Sequence, residues 1–131
     1  METGRAYIGS VPALMTADEL LRLNLPDKRT ELVRGVLYAR EPAGFQHGHV
    51  AMGIASVMHR FVTAHQLGYV LAAETGFKLE TNPDTVRAPD VAFVRKDRVP
   101  DNLPRGYADF VPDLVVEVRR RMTGQARCWR R

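Results

Sequence analysis

Residues 87–94 read Arg-Ala-Pro-Asp-Val-Ala-Phe-Val, a short apolar run opened by a proline and an acid. Unbroken runs of this kind belong to strands covered on both faces of a sheet. Residues 112–118, Pro-Asp-Leu-Val-Val-Glu-Val, repeat the pattern and carry a second acid inside the run. A carboxylate in such a place is costly to bury unless it is paired or metal-bound. Asp90 and Glu117 are therefore the residues to explain. If the two strands are neighbours, both carboxylates can converge on one cation, and Mg²⁺ suits two oxygen donors plus retained waters. The plainer alternative is that Asp90 caps a turn and Glu117 pairs with an arginine at a strand end.

Working outward, residues 31–40 (ELVRGVLYAR) are rich in strand formers. They predict a strand or hairpin arm with Val33, Leu37 and Ala39 on one face and Leu32, Val36 and Tyr38 on the other. From His47 to Gln66 the apolar positions Val50, Ile54, Val57, Met58, Phe61 and Val62, continued by Leu67, follow helical spacing, and Gly68 ends the helix. Residues 69–73 and 76–80 read as two strands or one bent strand. Upstream, Thr16-Ala17-Asp18-Glu19 forms a capping box, flanked by Met15 and Leu20 as a hydrophobic staple. The short helix it starts must end before Pro26. Residues 1–14 read as a loose lead-in. Pro89, Pro100, Pro104 and Pro112 punctuate the connections. The order of elements predicts an α/β or α+β domain with a mixed sheet flanked by helices.

The chain of 131 residues, 45% hydrophobic, suffices for a single domain with one core. No apolar run reaches the roughly 18 residues of a membrane span. The N-terminal residues lack the basic and apolar regions of a signal peptide. One cysteine excludes an intrachain disulfide and a cysteine-rich zinc site, and the default setting is a reducing cytoplasm. The formal charge of +4 is misleading. Residues 119–131 (RRRMTGQARCWRR) hold six of the 19 basic residues, and the remainder carries 13 Lys+Arg against 15 Asp+Glu, a net −2. The basic pI is a property of the tail alone.

Pro89-Asp90 followed by Glu117-Val118-Arg119 resembles the PD-(D/E)XK nuclease superfamily. More closely, the chain resembles the Uma-type family of restriction endonucleases, over residues 16–118. The resemblance rests on TADELLRL at 16–23, ELVRG at 31–35, the histidine-bearing start of the long helix, residues 87–94 and residues 112–118. It implies a restriction endonuclease-like core that binds Mg²⁺ or Mn²⁺ and hydrolyses phosphodiester bonds of nucleic acid, with DNA as the expected substrate and a homodimer as the expected assembly. Asp90 and Glu117 match the family's metal carboxylates, and Glu31 matches an early acidic position that completes the catalytic set. A cation there would polarise the phosphate and acidify a water for in-line attack. His49, Glu74 and Arg87 are accessory candidates. His47 and His49 open the helix, and His49 is the one expected to face the site. Arg34, Arg87, Arg95 and Lys96 are candidate phosphate contacts, although scattered charges at strand ends are commonly just solvated.

The chain departs from the family after Val118. Members continue with a Leu-Ser-Pro turn and a lysine-bearing helix, whereas this chain has Arg119, whose guanidinium stays charged and bonds with a different geometry. The tail can be back-translated so that another reading frame, after one restored base, spells that turn and that helix start. The expectation is a lead-in at 1–14, an incomplete nuclease domain at 15–118 and a frameshifted tail at 119–131. Impaired cleavage follows. The competing readings are a non-catalytic DNA-binding module on the same fold and a fragment without function.

Overall fold

The computed structural model describes residues 5–6 and 13–119. The Thr16 hydroxyl accepts from the Glu19 N–H at 3.3 Å while the Glu19 carboxylate accepts from the Thr16 N–H at 2.7 Å. This capping box starts α1 (Ala17–Arg22), whose buried face is Ala17 and Leu20. Met15 packs against the same cluster, as the staple predicts. A distant residue fixes the helix start as well. Asp84 accepts from the Ala17 N–H at 2.8 Å, and its backbone carbonyl accepts from Gly35 at 2.8 Å. That Ala17 contact is the main reason the Asp84 carboxyl lies below the usual aspartate range, against the opposing effect of burial.

Residues 29–40 form a tight hairpin, β2 (Arg29–Val33) and β3 (Val36–Arg40), with Val33 opposite Val36. Arg34 and Gly35 take φ of 48° and 81°, as a two-residue turn with two left-handed positions demands. The turn corrects the expected faces. It restarts the alternation, so Leu32 pairs with Leu37 and Thr30 with Ala39 on one face, leaving Arg29, Glu31, Tyr38 and Arg40 on the other. The lead-in is also not wholly loose, because β1 (Arg5–Ala6) pairs with β3. β5 (Phe77–Glu80) and β6 (Thr85–Arg87) complete this sheet in the order β1-β3-β2-β6-β5.

The long helix, α2 (Phe45–Ala64), starts and ends two residues before the expected span and packs on β4 (Gly68–Ala72). Residues 69–73 and 76–80 thus resolve into two strands, β4 and β5, in different sheets. β4 pairs with β7 (Val91–Arg95), which pairs with β8 (Leu114–Val116). β7 is buried as expected through Val91, Ala92 and Val94. β8 is not: Leu114 and Val115 are about half exposed, on a strand that is one of the two outer strands of this sheet among the described residues.

Phe77, Ala92, Val94 and Ala108 form a cluster that joins the two sheets, and Phe77 and Ala108 also share a parallel bridge. The strand pairs within both sheets are antiparallel, so the mixed character is confined to that bridge among the described residues. The result is an α+β domain. Residues 120–131, and with them the out-of-frame reading of the tail, lie outside the described residues. No helix among the described residues is long and apolar enough to cross a membrane.

Candidate metal-binding site

Asp90 precedes β7 and Glu117 follows β8, and Val91 pairs with Val116. One further step of this antiparallel register sets Asp90 opposite Glu117. The two acids singled out in the sequence therefore meet at the same end of one strand pair. Glu31 comes from the other sheet, on the polar face of the hairpin, and is buried with Asp90. Two carboxylates from strand ends and one from the middle of β2 share one region.

Asp90 and Glu31 each meet three polar partners. Asp90 Oδ1 accepts from Arg29 Nη2 at 3.1 Å and lies 3.0 Å from His47 Nε2, while Oδ2 accepts from the Val118 N–H at 2.7 Å. Glu31 Oε1 accepts from the Ala88 N–H at 2.8 Å and lies 3.3 Å from Arg87 Nε, and Oε2 lies 3.0 Å from Arg40 Nη2. Burial alone would raise the Asp90 carboxyl. The Val118 N–H, then His47 and Arg29, outweigh it and hold the group below the usual aspartate range. Such charge-assisted contacts are what make a buried carboxylate tolerable.

Glu117 behaves in the opposite way. Loss of surrounding water raises its carboxyl, the charges of Asp90 and Glu31 raise it further, and a hydrogen bond to Asp90 adds to this. Arg40 offsets only part of the rise. Glu117 is thus the acid of the group whose ionised form lacks adequate compensation, although its side chain reaches solvent.

The accessory candidates divide. Arg87 is at the site through Glu31. Glu74 is exposed, with φ of 69°, and lines both a cleft of about 270 Å³ over Asp90 and a neighbouring cavity of about 170 Å³ beside Glu31. His49 is exposed, and His47 is the histidine that meets Asp90. Residues two apart point about 200° apart around a helix, so only one of the pair can face the strands. Among the other proposed phosphate contacts, Arg34 sits in the hairpin turn and Arg95 pairs with Asp97. Sequence reasoning missed Arg29, Arg40 and His47. The signal for the two arginines was the hairpin turn, since a turn at Arg34-Gly35 sets residue 29 opposite residue 40.

Among the described residues, no three His, Cys, Asp or Glu side chains are grouped closely enough to cage a metal ion. The donor set instead fits an oxygen-preferring cation held by one or two carboxylates and its own waters. Compared with known proteins, the chain matches the family model described as "Uma2: Putative restriction endonuclease" over residues 17–127, past Val118 and through most of the basic tail. Among curated proteins nothing matches it.

Proposed function

The chain belongs to the Uma2 family of restriction endonuclease-like proteins, and from that premise we propose that Asp90 and Glu117 hold a divalent cation, Mg²⁺ or Mn²⁺, at a site that binds a phosphodiester of nucleic acid. Glu31 is the third acid of the catalytic set. The observation that carries the reading is the meeting of Asp90 and Glu117 at one end of the β7–β8 pair, where burial first, and then crowding by the charges of Asp90 and Glu31, raise the affinity of Glu117 for a proton. The same crowding favours a divalent cation in the proton's place. When bound, the cation supplies Lewis-acid polarisation of a phosphoryl oxygen and a more acidic water.

The chain's own residues do the positioning. The Val118 N–H and His47 fix the rotation of the Asp90 carboxylate, while Ala88, Arg87 and Arg40 fix that of Glu31. Arg119 stands where the family resemblance calls for a turn and then a lysine, at the rim of an open cleft with His47 and Val118. A guanidinium is a poor proton donor or acceptor near neutrality. Cleavage is therefore proposed to be impaired, with binding retained.

Calorimetric titration of Mn²⁺ into the full chain tests the site. Binding with micromolar to millimolar affinity is expected, lost in Asp90→Ala, and absence of binding to the unmodified chain would remove the cation from the reading. In parallel, duplex cleavage in Mg²⁺ should barely exceed that of Asp90→Ala. Fast cleavage abolished by that substitution would show that Arg119 does not impair the reaction. Salt-dependent DNA binding indifferent to the cation would instead favour a binding module without catalysis.

A further inference from the structure

Arg29 and Arg40 are direct cross-strand partners in the β2–β3 hairpin. Like charges facing each other across a strand pair are destabilising. Here each guanidinium is drawn to a different acid, Arg29 to Asp90 at 3.1 Å and Arg40 to Glu31 at 3.0 Å. Those two contacts offset the cost of setting the arginines opposite each other.

A cation on Asp90 would change that balance. The side chains of Arg29, Arg40 and Arg87 already offset those of Glu31, Asp90 and Glu117 in formal charge. A divalent ion adds positive charge, and the further acid at the cleft, Glu74, is exposed to solvent and so meets it only weakly. Arg29 is the group best placed to give way, since it shares Oδ1 of Asp90 with His47 and opens onto the cleft above that oxygen. It also lines the adjacent cavity together with Lys28 and Arg40.

We propose that Arg29 and Arg40 form the phosphate-binding fork of this protein, and that Arg29 is held as the counter-ion of Asp90 until a divalent cation replaces it. The ligand is the phosphodiester backbone of nucleic acid, which paired guanidinium groups match in geometry. Cation and nucleic acid then bind cooperatively. The cation frees Arg29, and the backbone phosphate neutralises the charge that the cation brings. The inference rests on the cation site proposed at Asp90.

The test uses Ca²⁺ as the cation and a fluorescently labelled DNA duplex as the probe, on the full chain and on Arg29→Gln. In the unmodified protein, Ca²⁺ should tighten duplex binding by at least about 5-fold, the lower end for coupled sites. Arg29→Gln should bind Ca²⁺ more tightly in calorimetry, because a competitor has gone, yet gain little duplex affinity from it. His47 and the Val118 N–H still hold Asp90 in this variant, and a thermal melt checks its fold. Arg29→Lys keeps the charge and should stay near the unmodified protein in Ca²⁺ affinity, which guards against a folding defect in the glutamine variant. Equal or weaker Ca²⁺ binding by a folded Arg29→Gln overturns the counter-ion role, and unchanged coupling to the duplex overturns the fork. If the unmodified chain binds no Ca²⁺ or Mn²⁺, the cation site itself fails, and this inference with it.

Discussion

At the scale of single residues, Asp90 and Glu117 show how one pair of acids divides its burden. Asp90 collects the donors and is held ionised, while burial and then the negative charge of Asp90 and Glu31 push Glu117 towards its protonated form. The two act on stability with opposite signs. A carboxyl lowered by folding stabilises the fold above its unfolded value and loses that contribution as the pH falls through its folded value. A raised carboxyl such as Glu117 stabilises the fold below the ordinary glutamate value of 4.5 and loses that contribution as the pH rises through its higher folded value. At neutral pH Glu117 therefore costs stability. Replacing it, Glu117→Gln, should raise resistance to urea at pH 7, with the gain shrinking as the pH approaches 4 and Mn²⁺ binding weakened throughout. A variant less stable than the parent at pH 7 would mean that Glu117 is satisfied rather than strained. Stability given up at a binding site is a common trade-off.

At the scale of elements, the capping box is the feature most directly tied to sequence. Both of its reciprocal bonds form, so Thr16→Ala should cost about 1 kcal/mol, read as a lower urea midpoint with an unchanged slope. Its signal is local, four consecutive residues, and that is why it was legible. The long helix was legible for the same reason, but its environment was not. Val57 and Phe61 fit the apolar spacing of a buried stripe and are more than half exposed, with Val62 the buried residue of α2. Spacing reports which face is apolar, and only tertiary contacts decide what covers it. The hairpin was half legible. Strand formers marked residues 31–40, but without the Arg34-Gly35 turn the face assignment was wrong, and the opposition of Arg29 and Arg40 was hidden with it. β6, three residues long, has too few positions to show any period. The same division holds at the site. Asp90 and Glu117 stood out because an acid against an apolar run is anomalous, whereas basic residues at strand ends and a histidine on a helix are ordinary until a register or a helical phase places them.

At the scale of the whole molecule, charge is distributed unevenly, so the proposed phosphate binding at the hairpin can be told apart from binding through the tail. The body carries a net −2 and the tail supplies the rest of the formal +4. An acidic body does not attract a polyanion at long range, so any phosphate bound there has to be held locally, at a place such as the Arg29–Arg40 face. The tail is the reverse, six arginines in 13 residues, suited to binding that depends on charge and not on shape. Replacing those six arginines with glutamine tests the separation. Every phosphate that the tail no longer neutralises should flatten the dependence of log K on log salt by about 0.9, so full engagement of the tail predicts a slope smaller by roughly 5. The Ca²⁺-dependent part of duplex binding should survive, because Asp90, Glu31 and the two hairpin arginines are untouched. If the Ca²⁺-dependent part disappears with the tail, this protein holds phosphate through residues 119–131 and the hairpin arginines serve only to balance the buried acids.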